Sequence, residues 1–402
     1  MLFTEVGTIN SQSEKGNVAI HALYAMRLLT RCGFGVFGVA VPLYMRDVGV
    51  SFFGLGVAFS VFGIVRGATG IFFGAHSDSV GRKPYLILAL VLSSVLSFFY
   101  IQATGVSDFV ILQALRGISS SLSGVIVPAL MTDLTIETER GRKFGRMGGF
   151  GWIGTGVGYF LGGAISHFFG YYLSFILVSL LTLISCVLVL LFIPSYRLPS
   201  RGRFNIDLVR GFSSNLKTWL MISFILALVT GPVEVIVIPS YTVAPGPLGM
   251  DKVVFGTFMA VSYLIVSSTQ FIGGNLADKY SRRKLASLFF LISMPFILVQ
   301  PLYPHFTYFA FMYLLEGVGE GLSHPSRDAI IASSIREKHR GFEYGIVSFM
   351  GNIGSTIGFL VMGYILDTFG FAYPFYIRGV IYIVVACLIY FKLKERHEIG
   401  QT

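Results

Sequence analysis

Charge is what this sequence has least of. Only 12% of its 402 residues are Asp, Glu, Lys or Arg, against 54% hydrophobic residues. Soluble domains carry about 25% charged residues. A chain with half that share cannot cover a water-facing surface, so lipid is its expected solvent. Cysteine is scarce as well: Cys32, Cys186 and Cys387 are the three present. Each lies in an apolar stretch without metal-ligand spacing, so no metal site and no disulfide is expected, and packing is the role predicted for them. A Walker-type G-x-x-x-x-G-K-S/T loop is missing, which argues against direct ATP drive. No nucleophile–base pair stands out either, so neither catalysis nor a cofactor is expected. No cleavable leader is recognisable: residues 1–17 read as a polar tail, and no small-residue cleavage site follows the first apolar span.

What is present is a succession of apolar runs. A membrane helix needs roughly 20 apolar residues, and runs of that length recur between short breaks rich in charge, Pro or Gly. They predict spans at 19–45, 52–76, 84–103, 107–131, 144–168, 172–193, 218–243, 253–276, 285–303, 307–332, 344–367 and 372–392. The cations sort by side. Of the 30 Lys and Arg residues, 22 fall in the termini and the even-to-odd loops. Two, Arg46 and Lys252, fall in the opposite loops, and six lie within spans. This bias predicts both termini in the cytoplasm of a cell-membrane protein. It also accounts for the net charge of +10 without a nucleic-acid partner.

The two halves repeat at a shift of 200 residues. Gly74 and Asp78 match Gly274 and Asp278, Gly117 matches Gly317, and Arg140-Gly141 matches Arg340-Gly341. Gly145, Gly154, Gly158 and Gly163 match Gly345, Gly354, Gly358 and Gly363, and Phe169-Gly170 matches Phe369-Gly370. Six spans followed by six is an even repeat, so both halves share one topology, an architecture known among transporters. The predicted fold is an all-α membrane protein of twelve transmembrane helices in two pseudo-symmetric six-helix bundles. These are an N-terminal bundle over 1–195, a cytoplasmic linker over 196–217 and a C-terminal bundle over 218–402.

The loop after the second span reads Gly74-Ala-His-Ser-Asp78-Ser-Val-Gly81-Arg82-Lys83. It resembles the first signature of the major facilitator superfamily, G-x-x-x-D-x-x-G-R-K/R. The second half repeats it as Gly274…Asp278…Ser281-Arg282-Arg283, with serine for the second glycine. Leu115-Arg116-Gly117 is similar to the family's intramembrane arginine motif. Gly145, Gly154, Gly158, Gly162 and Gly163 resemble its antiporter glycine motif, with Tyr159 where the family has proline. The resemblance implies the twelve-helix fold, a cavity lined by spans 1, 4, 7 and 10, alternating access, and a cytoplasmic gate at Gly74, Asp78, Gly81, Arg82, Lys83, Asp278, Arg282 and Arg283. Read from spacing alone, Gly154, Gly158 and Gly162 mark a face where helix backbones approach closely, and Asp78 is placed to hold a helix N-terminus and nearby cations.

Seven ionisable residues fall well inside spans: Arg31, Arg66, Arg116, Glu234, Glu316, Glu320 and Arg378. At roughly 3 kcal/mol each on insertion scales, they require partners or water. Arg27, Arg327 and Asp328 lie nearer span ends and are expected to snorkel. The first half buries only arginines, the second all three glutamates. With Arg116 and Glu316 at equivalent repeat positions, opposite charges are expected to meet between the halves. Arg31, Arg116, Glu234, Glu316 and Glu320 are therefore the candidate substrate and proton path. Glu316, Glu320 and His324 share one helix face, and two such carboxylates do not ionise together readily without an arginine. Arg378 has no assigned role beyond a partner in its own half.

The expected function is a secondary transporter driven by the proton-motive force and exporting a small amphipathic compound as a monomer in the bilayer. The alternatives are a symporter or exchanger of a small organic anion, suggested by the arginine-rich first half, and a non-transporting sensor or scaffold.

Overall fold

The computed structural model describes residues 2–135, 137–195, 211–336 and 340–394; within its helices, side chains at 2–16, 71, 74–80, 137–138, 140–141 and 340–342 are not described. Most of the predicted linker therefore lies outside the described residues.

Among the described residues there are twelve α-helices: α1 Leu2–Asp47, α2 Phe52–Val80, α3 Arg82–Phe99, α4 Val106–Asp133, α5 Glu137–Phe168, α6 Gly170–Phe192, α7 Ser214–Thr242, α8 Lys252–Lys279, α9 Arg282–Val299, α10 Phe306–Ser334, α11 Arg340–Phe369 and α12 Ala372–Lys392. Nine are long and apolar enough to cross a membrane among the described residues. The other three are α5, α9 and α10, and their sequences explain the difference. α5 is dense in glycine and opens on cations, the 18 residues of α9 start Arg282-Arg283-Lys284, and α10 carries the buried carboxylates.

Two predicted features need correction. The polar stretch before the first span is not a separate tail: α1 starts at Leu2 and runs unbroken into the apolar span beginning at Asn17. The seventh span is not one regular helix. It is α-helical over Ser214–Ala227, turns at Leu228 and Val229, makes a short turn at Thr230–Pro232, widens to a π-helix over Val233–Val237 and closes as Ile238–Thr242. Gly231-Pro232 sits at the break. Proline removes one helix donor and clashes with the preceding turn, and glycine leaves the backbone weakly committed.

The helices form two compact units. The first comprises residues 1–40, 65–103 and 111–202, the second 41–64, 104–110 and 203–402. In the first, Leu23 and Met26 of α1, Leu86 and Leu90 of α3, Leu122 and Ile126 of α4 and Cys186 and Val189 of α6 form one buried cluster. Small polar groups complete the α3–α6 seam: Ser94 Oγ donates to the Ser179 carbonyl at 3.0 Å and Lys83 Nζ to that of Leu190 at 2.9 Å.

The glycine face of α5 seats on α1. A Cβ at Gly154 or Gly158 would strike the carbonyl oxygen of Leu28 or Cys32, and one at Gly162 would lie 2.8 Å from Val36 Cα. Residues at spacing four on each helix thus meet backbone to backbone, the geometry by which small residues associate helices in lipid. Tyr159, which replaces the family's proline, is buried, with its ring end against Gly38. The second unit repeats this seam, Gly354 meeting the Phe224 carbonyl and Gly358 that of Leu228, where α7 breaks.

The second unit also takes in the first half of α2. Ser60 Oγ donates to the Thr356 carbonyl at 2.6 Å, and the Phe59 and Phe359 rings stack at 5.3 Å. The Asp367 carboxylate at the end of α11 accepts the backbone N–H groups of Phe52 at 3.2 Å and Phe53 at 2.7 Å, capping the start of α2. Beside it, Lys252 pairs with Asp47 at 3.4 Å. Of the cysteines, Cys32 and Cys186 are buried, whereas Cys387 is exposed on α12 rather than packed.

Candidate functional site

The charged residues of the second half gather around Glu316. This carboxylate is 1% exposed on α10. Its first oxygen is bridged by the guanidinium of Arg378 on α12, and its second accepts from Gln300 Nε2 at 2.8 Å, Gln300 lying just past the end of α9. The same Arg378 Nη2 lies 3.9 Å from Glu320 and donates to the Tyr382 hydroxyl at 3.2 Å. One turn on, His324 stands 3.7 Å from Glu320. The predicted face of Glu316, Glu320 and His324 is therefore one connected chain of ionisable groups, and it grades in exposure. The side chain of Glu316 is 2% exposed and that of Glu320 is 27% exposed.

Glu234 sits in the π-helical stretch of α7, where it accepts a hydrogen bond from the Tyr263 hydroxyl of α8. A π-turn inserts one extra residue into the helix, and such widenings recur at functional positions. Tyr313, on α10, feels the charges of Glu234, Glu316, Glu320 and Arg378 together, so the aromatic belongs to the same neighbourhood. Two glutamates share the Arg378 guanidinium here, His324 and Arg327 also act on Glu320, and Glu234 adds a third carboxylate. In a low-dielectric interior carboxylates this close to one another are costly to ionise together unless cations or a proton balance them.

The contacts described for Glu316 and for Arg116 each lie within their own unit. Glu316 is held by Arg378 of its own unit. Arg116 lies with its guanidinium 3.3 Å from the Phe37 ring centroid and interacts with the Tyr100 hydroxyl within the first unit. The repeat supplies the reason. At the shift of 200, Glu316, Gln300 and Arg378 correspond to Arg116, Tyr100 and Val178. The first half has no basic residue where α12 has one, so its buried charge is satisfied by an aromatic face and a hydroxyl instead. Cation–π contact is worth about 2 kcal/mol or more when desolvated.

In the first unit, Arg27 and Arg31 lie one turn apart on α1, and Arg31 stacks 5.4 Å from the Phe34 ring. Arg27, expected to snorkel, is half-buried, with its Nε against Gly151 of α5. Arg66 of α2 reaches toward Gly124 of α4.

At the predicted gate, Arg82 pairs with Asp133 of α4 at 2.7 Å. Asp133 was not among the predicted residues, and its repeat position holds Ser333, so duplication could not reveal it. The side chain of Asp78 and the position of Gly74 lie outside the described side chains. Gly81 starts α3 at a φ of 110°, a backbone setting that only glycine adopts readily. In the second copy Asp278 is exposed, Arg282 Nε donates to the Ala277 carbonyl at 3.4 Å, and Arg283 donates to that of Leu393 at 3.1 Å.

Comparison with known proteins agrees with this layout. A model of the Major Facilitator Superfamily matches residues 23–247 and 223–402. The uncharacterized MFS-type transporter MJ1560 of Methanocaldococcus jannaschii is 20% identical over 389 residues, covering 94% of this chain and 98% of that protein. The quinolone resistance protein NorA of Staphylococcus aureus is 28% identical over 180 residues, 43% of this chain and 45% of NorA. Among solved structures, the nucleoside transporter NupG shares the fold with a TM-score of 0.73, covering 94% of this chain and 100% of NupG at 12% identity.

Proposed function

Because the chain belongs to the Major Facilitator Superfamily and is a multi-pass membrane transporter of small molecules, we propose that it is a secondary transporter that couples proton movement to export of a small amphipathic compound. The observation that carries the coupling is the arrangement of two α10 carboxylates around one guanidinium. Glu316 is sealed in the bundle by Arg378 and Gln300, while Glu320, one turn away, is partly exposed and touches His324. A proton taken up at Glu320 or Glu316 removes one of the two negative charges, and Arg378 then holds the remaining carboxylate alone. That redistribution requires only side-chain motion along one helix face. Glu234, in the widened stretch of α7 and bonded to Tyr263, is the second proton acceptor in reach of the same neighbourhood.

Export is supported by the glycine seam between α1 and α5 and by the likeness of part of the chain to NorA. In this reading the protein acts as a monomer in the cell membrane with both termini in the cytoplasm, and the proton-motive force is its energy source. The Asp367 cap on α2 and the Arg82–Asp133 pair act at opposite ends of the helices as gates.

The test is flux in proteoliposomes under an imposed pH gradient, with Glu316→Gln and Glu320→Gln made singly. Loss of proton-driven flux in either variant, with exchange of substrate retained, supports the reading. Unchanged coupling in both variants removes these two residues from it.

A further inference from the structure

We infer that Gln300 is a positioning residue that turns its side-chain amide over when Glu316 takes up the coupling proton, offering N–H to the ionised carboxylate and C=O to the neutral acid. The inference rests on the proton-coupling reading. It adds which carboxyl holds the proton and what lets the proton come and go in a dry interior.

Gln300 is the C-cap of α9, and it is fully buried. Its Nε2 donates to Glu316 Oε2 at 2.8 Å, while Arg378 bridges the other carboxylate oxygen. Ionised, Glu316 only accepts hydrogen bonds, so its charge selects this orientation of the amide. A neutral Glu316 carries an O–H and needs an acceptor. Gln300 Oε1 is a buried acceptor that no donor reaches among the described residues. The two ends of an amide are alike in size, so a half-turn about its last bond exchanges them without a cavity. The turn gives up one hydrogen bond to Glu316 and makes another. An apolar residue in this place would leave the new O–H unsatisfied, and a lysine or arginine would offer donors alone.

The surroundings place the proton on Glu316. Its ion-pair partner among the described residues is Arg378. Glu320 has the same guanidinium at 3.9 Å and His324 at 3.7 Å, and Arg327 acts on it as well. Burial weighs most on the charged form of the group with less water and fewer cations, which is Glu316 at 1% exposure. Its other ionisable neighbours are Tyr382 of α12, Tyr313 and Glu320 of α10 and, by charge, Glu234 of α7. From α9, Ser293 Oγ donates to the Glu316 backbone carbonyl at 3.4 Å, and α8 sets Val266 and Thr269 against Gly317 and Gly321, none of which titrates. When the O–H forms at Oε2, Arg378 loses its counter-charge, and its Nη2 is free to close on Glu320. The repeat agrees with this assignment. Position 100 holds tyrosine beside Arg116, which keeps its proton, and the amide stands in the half whose buried charge titrates.

The full chain in phosphatidylcholine proteoliposomes is followed by infrared difference spectroscopy as the pH is stepped from alkaline to acid, with glutamine isotope-labelled at its side-chain carbonyl. Acid is expected to raise one carboxyl C=O band that Glu316→Gln removes. A labelled glutamine C=O band is expected to fall in wavenumber with the same midpoint, as a carbonyl does on accepting a hydrogen bond, and to vanish in Gln300→Met. In that variant the Glu316 band is expected to move, its O–H having lost its acceptor. Proton-driven flux is expected to fall about tenfold, the equivalent of one hydrogen bond to a charged group. If Gln300→Met does not fold, the joint shift of the two bands in the wild type and their joint loss in Glu316→Gln decide. A merely structural Gln300 leaves its C=O band indifferent to pH, and that result overturns the inference. So does a carboxyl band unmoved by Gln300→Met, one that Glu320→Gln removes and Glu316→Gln does not, or no titrating carboxyl band at all. In each of those cases flux driven by the imposed pH gradient still upholds proton coupling. Joint band shifts in a protein whose flux ignores the gradient uphold the switch and refute the coupling.

Discussion

Arg378→Met takes the counter-ion from a carboxylate that is 1% exposed, leaving the Gln300 amide at 2.8 Å on its other oxygen. Breaking a buried ion pair costs about 3–5 kcal/mol, against a total stability of about 5–15 kcal/mol. Glu316 has one escape, which is to take up a proton. From an ordinary glutamate pKa of about 4.3 this costs about 1.4 kcal/mol per pH unit, hence about 4 kcal/mol at pH 7 and about 1.5 kcal/mol near pH 5.4. The deficit of Arg378→Met is therefore expected to shrink as the pH falls, because acid lowers the cost of the neutral form. Glu316→Gln cannot titrate at that position. Its deficit comes from Arg378 left with Glu320 at 3.9 Å, and it is expected to change far less over the same range. The double variant is expected to recover about 2–3 kcal/mol relative to the sum of the singles, since neither charge is then stranded. The assay is SDS-titrated unfolding in mixed micelles at pH 7 and pH 5.4. A deficit for Arg378→Met that does not move with pH, or a double variant additive within about 0.5 kcal/mol, would refute the reasoning.

Gly158→Val would press a branched side chain into the Cys32 carbonyl, and overpacking of this kind costs about 1–3 kcal/mol or more. It should lower the yield and melting temperature of purified protein, whereas the same change at Gly145, which faces open space, should not. Asp367→Asn removes the charge that caps α2 and should weaken that contact by about 1 kcal/mol. The readout is faster labelling of a cysteine placed at Ser51, and an unchanged rate would show that the cap carries no weight. Asp133→Asn should destabilise the Arg82 contact by about 1–2 kcal/mol. Unfolding of the Asp133→Asn, Arg82→Gln and double variants would give the coupling, and a coupling near zero would remove Asp133 from the gate.

The twelve helices were legible because lipid demands long apolar runs, and the duplication could be read because glycines at 154, 158, 354 and 358 must stay small for backbones to touch. The break in α7 was less visible. Its one signal, Gly231-Pro232, lies within a run apolar enough to read as a continuous span. The charge centre was half legible. Spacing put Glu316, Glu320 and His324 on one face, but nothing local announces that Arg378, some 60 residues later, is the partner. Symmetry put Arg116 and Glu316 at equivalent positions without announcing the partner that each has within its own unit. The deciding residues were those that break the repeat, Val178 against Arg378 and Tyr100 against Gln300. Arg27 falls near a span end, where a long side chain ordinarily reaches water, and nothing local in the sequence announces that its Nε lies against Gly151 of α5.

The pairing of α10 with α12 also bears on how the chain is made. Glu316 leaves the ribosome roughly 60 residues before Arg378, which at ~5–20 residues per second is several seconds. Through that interval the nascent chain carries a carboxylate destined for a dry interior while its cation is still untranslated. The insertion machinery must shelter α10, or let it wait near the headgroups, until the final helix arrives. A stop codon between the two residues would thus strand a charge as well as shorten the protein, and quality-control proteases that survey membrane helices for unmatched polar groups would have a clear mark to find.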